Sequence, residues 1–207
     1  MDVKKQVDKS HYEFERYMSK ARWNSVWHQL DEVISLKPEK VLEIGPGPGI
    51  FKHTASLFGI KVETLDLDPK LAPDHVGSAT ALPFADDTYD VVCAFQMLEH
   101  LPYENALLAF REMVRVSRRH VVISLPDAKI VWRYQFYIPK FGTFDKFIPR
   151  PSRGTQQHQF DGEHYWEISK KGYPLARIIR DFSEYATLLK TYRAQENTYH
   201  RFFIFQC

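Results

Sequence analysis

Cysteine is nearly absent from this chain: Cys93 and Cys207 are the only two in 207 residues. Both lie in apolar, strand-like runs and form no metal or redox motif, so they read as small core residues in a reducing compartment. Long apolar runs are missing too. No stretch reaches membrane-spanning length, and Met1-Asp2-Val3-Lys4-Lys5 lacks the apolar segment of a secretory signal. A cytoplasmic protein without a transmembrane segment is therefore expected. An excess of one charge is lacking as well: 28 basic and 26 acidic residues leave +2, which gives no global field for nucleic acid. There is no internal repeat and no low-complexity tract. With 44% hydrophobic residues the composition is that of a globular chain long enough to bury a full core as one domain.

What is present centres on Val41-Leu42-Glu43-Ile44-Gly45-Pro46-Gly47-Pro48-Gly49-Ile50-Phe51. Val41 to Ile44 is a short apolar run with one acid inside it, which suits a strand buried on both faces of a parallel sheet. The alternate glycines Gly45, Gly47 and Gly49 follow at once. A sharp turn with positive φ and a close backbone approach to a ligand both call for residues without a Cβ. The segment from Ile50 to Phe58 then predicts a short helix ended by Gly59. A strand, a glycine turn and a helix open an α/β nucleotide-site unit.

The remaining segments fall in order around that unit. Residues 1–36 carry polar and aromatic residues at helical spacing, predicting one or two covering helices that end before Pro38; Tyr17, Arg22 and Trp23 are placed to reach a ligand. Lys61 to Leu65 predicts the second strand, closed by Asp66-Leu67-Asp68-Pro69. An acid there, about 20 residues beyond the turn, is where ribose hydroxyls are held in nucleotide folds, because a carboxylate accepts two hydrogen bonds from a diol. Asp66 fits that place, while Asp68 before Pro69 reads as a turn cap. The next crossover holds two prolines and is too short for a full helix. Tyr89 to Phe95 predicts a central strand, with Gln96, Met97, Leu98, Glu99 and His100 at its carboxyl end. Tyr103 to Val116 predicts an amphipathic helix and His120 to Pro126 a fifth strand. From Asp127 to Arg153 seven aromatics accompany six bases and two acids, with prolines at 139, 149 and 151. That composition predicts an insertion or lid rather than a regular crossover. A helix from Pro174 to Phe182 and an antiparallel pair, Glu184 to Tyr192 with Tyr199 to Gln206, close the chain.

The spacing Gly45-x-Gly47-x-Gly49 differs from the dinucleotide G-x-G-x-x-G pattern. With Glu43 ahead of it, it resembles the first motif of the Rossmann-like S-adenosylmethionine-dependent methyltransferases, and from Val41 to Pro126 the chain is similar to their type 11 group. The stretch Ala79-Thr80-Ala81-Leu82-Pro83-Phe84 with Asp86 to Val92 carries the same resemblance. It implies a mostly parallel central sheet with helices on both faces, an insertion after the fifth strand and a C-terminal antiparallel pair. The whole is read as one domain: a cover (1–36), a cofactor core (37–126), an aromatic and basic insertion (127–168) and a closing helix with two strands (169–207). The implied cofactor is S-adenosylmethionine. Its implied binding residues are Glu43, Gly45, Gly47 and Gly49 at the turn, Asp66 on the ribose, Leu67, Ala79 and Thr80 around the adenine, and Gln96 and Met97 beside the methionine part. Relatives carry an acid where Ser78 stands, which leaves adenine N6 to a weaker hold or to backbone alone.

Methyl transfer from a sulfonium is an in-line displacement, and alignment with exclusion of water is the protein's main contribution. A general base depends on the acceptor. Glu99, His100 and His164 are the candidates; Glu99 and His100 also read as packing or helix-start residues, and His164 as a lid anchor. No metal is expected, since His158, Asp161 and His164 at three-residue intervals in a glycine-containing loop prove little. The expected activity is methyl transfer to a small, apolar or anionic acceptor. The aromatic insertion either closes over it, touches a lipid surface or packs inertly. A module that keeps the cofactor without catalysis is the alternative reading.

Overall fold

A computed structural model of the chain describes residues 12–151 and 154–207. Residues 1–11 of the expected cover, and residues 152 and 153 of the insertion, lie outside the described residues. Two helices precede the sheet, α1 (Phe14–Tyr17) and α2 (Lys20–Ser35). Ser19 caps α2, its Oγ accepting from the amide of Arg22 at 3.1 Å, and Val26 and Val33 lie on its buried face.

The chain then runs through β1 (Lys40–Ile44), α3 (Ile50–Leu57), β2 (Lys61–Asp66), β3 (His75–Val76), β4 (Tyr89–Phe95), α4 (Tyr103–Val116) and β5 (Ser117–Pro126). Between β2 and β3 only a 3-10 turn over Pro69–Leu71 forms, as the two prolines require; Asp68 caps it through a 3.0 Å bond from the Lys70 amide. After β5 come β6 (Val131–Ile138), β7 (Gly142–Pro149), α5 (Leu175–Phe182), β8 (Thr187–Arg193) and β9 (His200–Gln206). The central sheet has the order β3-β2-β1-β4-β5-β9-β8. β1 to β5 pair in parallel, and β9 runs antiparallel to both β5 and β8. This is the Rossmann-like methyltransferase architecture expected from the sequence.

Alternate residues of each strand enter separate cores. Leu42, Ile44, Val92, Ala94, Val121 and Ile123 pack with Ala106, Phe110 and Met113 of α4 and Ile178 and Phe182 of α5. Val41, Val62, Val91, Cys93 and Val122 pack with Val33 of α2 and Phe51 and Ala55 of α3. At roughly 1.5–3 kcal/mol for each large apolar side chain buried, this two-sided burial outweighs the small helix and strand propensities. Because the chain goes from β1 to one edge and returns to β4 on the other side, the loops after β1 and β4 meet at the switch point of the sheet.

One expectation is corrected. Cys93 is buried as expected, but Cys207 is exposed, because it follows the last residue of β9 rather than lying within the strand. The segment after β5 is also more regular than its prolines imply. β6 and β7 form an antiparallel hairpin with continuous register from Val131↔Pro149 to Ile138↔Gly142, since Pro139 falls in the turn and Pro149 at a strand end. Its register puts Trp132, Tyr134, Phe136, Ile138, Phe144 and Ile148 on one face, and all six are exposed.

Candidate functional site at the strand switch point

The turn after β1 is built on backbone that only glycine adopts without strain. Gly45, Gly47 and Gly49 have φ of +68°, +54° and +75°. Gly45 donates its amide to the carbonyl of Leu65 at 2.9 Å, which ties the turn to the end of β2. Gly49 is the N-cap of α3, so the amides of that helix's first turn open toward the turn. The Glu43 side chain alternates onto the α3 side of the sheet, where the Lys52 amide bonds it. It is 3% exposed, and its Oε2 has no hydrogen-bond partner among the described residues. Burial pushes its carboxyl up to about 8, against the opposing pull of Lys52.

The other predicted residues lie at the ends of β2 and β4 and in the segment after β3. Asp66 ends β2, and its Oδ1 accepts from the Asp68 amide at 2.8 Å, which fixes the carboxylate at the strand end. Leu67 next to it is 40% exposed, an apolar face held toward solvent. Ala79 is buried, and Thr80 Oγ1 lies 2.9 Å from Ser78 Oγ, so Ser78 is engaged within its own turn. Gln96 has a positive φ of +52°, and its Nε2 donates to Ser124 Oγ of β5 at 3.2 Å. Met97 lies against the first glycine.

Residues 42–125 match a family model described as a methyltransferase domain. An uncharacterized methyltransferase of Mycobacterium marinum is 31% identical over 120 residues, which cover 52% of this chain and 44% of the relative. Another from Mycobacteroides abscessus is 27% identical over 166 residues, covering 72% of this chain and 57% of the relative. The chain thus spans about half the length of these curated relatives. Among solved structures, magnesium protoporphyrin IX methyltransferase from Synechocystis with bound SAM superposes with a TM-score of 0.61 at 14% identity, over 96% of this chain and 89% of that one. The match covers 84 of the 207 residues and makes this segment similar to a methyltransferase domain.

Three side chains ahead of β1 cover the turn. A Cβ at Gly47 would lie 3.0 Å from Tyr12 Cε1 and 3.5 Å from Tyr17 Oη. Tyr12 and Tyr17 make an edge contact at 5.1 Å, and the Arg22 guanidinium lies over the Tyr17 ring at 4.2 Å. Burial, the neighbouring Tyr17 and then the Asp66 charge raise the Tyr12 phenol above its ordinary value. Of the residues predicted to reach this mouth, Tyr17 and Arg22 do so, and Trp23 is 53% exposed to solvent. Tyr12 is the residue that sequence reasoning missed. Its only signal was helical spacing with Arg16, which does not single it out.

At the carboxyl end of β4 the fold brings together Glu99, His100 and His164, although His164 comes from far along the chain. The Tyr165 amide donates to the Glu99 carbonyl at 2.9 Å and Trp166 Nε1 to the Leu101 carbonyl at 3.1 Å, which seats this later segment on the β4 loop. His158 instead bonds the His164 carbonyl at 2.8 Å, and Asp161 Oδ1 accepts the amides of Glu163 and His164 at 2.9 and 2.8 Å. These bonds order the loop that carries His164.

Proposed function

We propose that this chain is an S-adenosylmethionine-dependent methyltransferase acting on a small-molecule acceptor. The observation that carries the reading is the buried Glu43 carboxylate oxygen without a partner among the described residues, set beside a turn of three left-handed glycines. A buried carboxylate of this kind needs a donor, and the ammonium of an amino-acid moiety supplies one where bare turn backbone lets it approach. Asp66, about 20 residues on and at the adjacent strand end, suits a ribose diol. Leu67, Ala79 and Thr80 would hold the adenine, and Gln96 with Met97, which packs against Gly45, the methionine part. When bound, the cofactor supplies an electrophilic methyl carbon on sulfur.

The protein's share is then alignment and exclusion of water. Tyr12, Tyr17 and Arg22 close the mouth above the turn, and the loop of residues 158–168 closes the side beyond β4. Base chemistry, where the acceptor requires it, falls to Glu99, His100 or His164. The bases of the insertion, Lys129, Arg133, Lys140, Lys146 and Arg150 among them, support an acceptor with an anionic group. The exposed apolar face of the hairpin, with Lys140 and Lys146 beside it, supports peripheral contact with a lipid surface.

Isothermal titration with S-adenosylhomocysteine tests the reading. Binding at micromolar concentrations is expected, and its absence from folded protein would sink the proposal.

A further inference from the structure

An open cavity of about 1260 Å³ lies between the hairpin and the body of the protein. A drug-sized ligand needs roughly 300–1,000 Å³, so there is room for more than a simple ion. Val131 and Phe147 wall it from the hairpin face opposite the exposed aromatics. Asp127 after β5, Arg193 at the end of β8 and Arg201 at the start of β9 line the other side. By the strand directions, these three lie at the sheet edge that also carries the glycine turn.

The charges of this cavity do not balance. Lys129, Arg150 and Lys170 line it with Arg193 and Arg201, and Asp127 is the single acid among its described residues. That acid is already spent. It accepts from Arg193 Nε at 3.1 Å and from Arg201 Nε at 2.8 Å, so two guanidiniums share one carboxylate. Burial, with the Arg201 charge added to it, lowers the Arg193 guanidinium from its usual range against the pull of Asp127. Arg193 Nη1 is engaged by the carbonyls of Lys129 and Thr198 at 2.7 and 3.1 Å. Arg201 differs: its Nη1 reaches Thr191 Oγ1 at 3.4 Å, while Nη2 has no partner among the described residues. A guanidinium fixed at one end and open at the other is preorganised for an oxyanion, which its planar fork matches. The start of α5 adds to this. Pro174 and Leu175 line the cavity, no side chain caps the helix, and its first turn holds no acid, so the positive end of the helix dipole is left to a ligand.

We propose that this cavity binds a phosphate-bearing small molecule, with Arg201 supplying the fixed donor and Lys129, Arg150 and Lys170 the surrounding charge. A phosphate monoester carries about −1.5 to −2 at pH 7 and three acceptor oxygens, which answers several cations where a carboxylate answers one. Ile130, Phe147 and Leu175 give the rest of the molecule an apolar wall. Gln195 Oε1, buried in the same lining without a partner among the described residues, takes a hydroxyl or N–H of the ligand. In one respect the inference rests on the methyl-transfer reading: on that reading the ligand is the acceptor, since β5 neighbours β4.

The test titrates the full chain by calorimetry, at about 0.15 M salt, with glycerol 3-phosphate and with monomeric dihexanoyl phosphatidic acid. Binding of at least one is expected; tighter binding of the phosphatidic acid marks a lipid headgroup as the source, equal binding a soluble phosphate ester. Arg201→Gln should weaken it by about tenfold, the worth of one charge-assisted hydrogen bond, and Lys129→Gln with Lys170→Gln by at least as much, with S-adenosylhomocysteine binding retained. Lys140→Gln with Lys146→Gln, outside the cavity lining, should change nothing. If Arg201→Gln fails to fold, the two lysine pairs decide. Binding of neither compound at millimolar concentration, or equal losses from both lysine pairs, would overturn the proposal. Competition with S-adenosylhomocysteine would overturn it too, by placing the anion at the glycine turn. Phosphate binding without any S-adenosylhomocysteine binding would leave the site standing and remove the methyl-transfer reading.

Discussion

A Cβ placed on Gly45 would meet Met97 Cγ at 2.5 Å, so the loops after β1 and β4 are packed against each other to the limit that glycine allows. The same residue has a φ of +68°. Gly45→Ala therefore incurs both a left-handed strain of about 1–2 kcal/mol and an overpacking cost of about 1–3 kcal/mol. Urea unfolding should show a loss of that summed order, together with weakened S-adenosylhomocysteine binding.

Asp66 tests the cofactor more selectively. Its Oδ1 accepts one local bond from the Asp68 amide, which asparagine's carbonyl oxygen can also accept. Asp66→Asn should keep the fold while weakening S-adenosylhomocysteine by about tenfold, the worth of one charge-assisted hydrogen bond of about 1.5 kcal/mol. Unchanged affinity in calorimetry would contradict the ribose assignment.

The Glu43 carboxyl has an ordinary value of 4.5 and is pushed up to about 8 by burial. Between those limits the folded chain holds a proton that the unfolded chain has released, so the slope of unfolding free energy with pH is negative. This group's contribution to stability is thus undiminished below pH about 4.5 and falls as pH rises toward about 8. Denaturant midpoints across that range should show a smaller decline in Glu43→Gln than in wild type. Because an ammonium favours the carboxylate, S-adenosylhomocysteine binding at neutral pH should release protons. Calorimetry in two buffers of different ionisation enthalpy detects it, and identical heats would count against the Glu43 role.

Asp127, 2% exposed, accepts from Arg193 Nε at 3.1 Å, Arg201 Nε at 2.8 Å and Ser169 Oγ at 2.8 Å. It is the only acid among these groups, and Arg193 is itself buried. Asp127→Asn removes the charge that two arginines share, and a loss of about 3–5 kcal/mol is expected from the charges left uncompensated. Thermal unfolding checks it.

The hairpin makes a separate prediction. Phe141 at its turn is 77% exposed and Trp132 on its apolar face 48%. Phe141→Ser with Trp132→Ser should leave stability nearly unchanged and abolish sedimentation with anionic phospholipid vesicles. Wild-type protein that fails to sediment at low salt would refute the lipid contact.

The sequence by itself determined the elements whose cause is local. β1, α3, β4 and α4 follow from runs of apolar residues at the right period, bounded by glycine or proline, and the glycine turn from three residues without Cβ. Their order and the acid at the end of β2 led to an α/β nucleotide fold, and the resemblance carried by Glu43 to Gly49 and Ala79 to Val92 led to the methyltransferases. The regular hairpin was obscured because composition does not reveal that Pro139 falls in the turn and Pro149 at a strand end. Cys207 was misread because one residue separates a buried strand from an exposed end. Only tertiary structure decided which distant groups meet. Tyr12 over Gly47, Asp127 between two arginines, and Glu99 facing His100 and His164 depend on how separate elements stack on the sheet. Side-chain period and turn chemistry are encoded within a few residues, whereas a buried charge acquires its partners from packing across the whole chain.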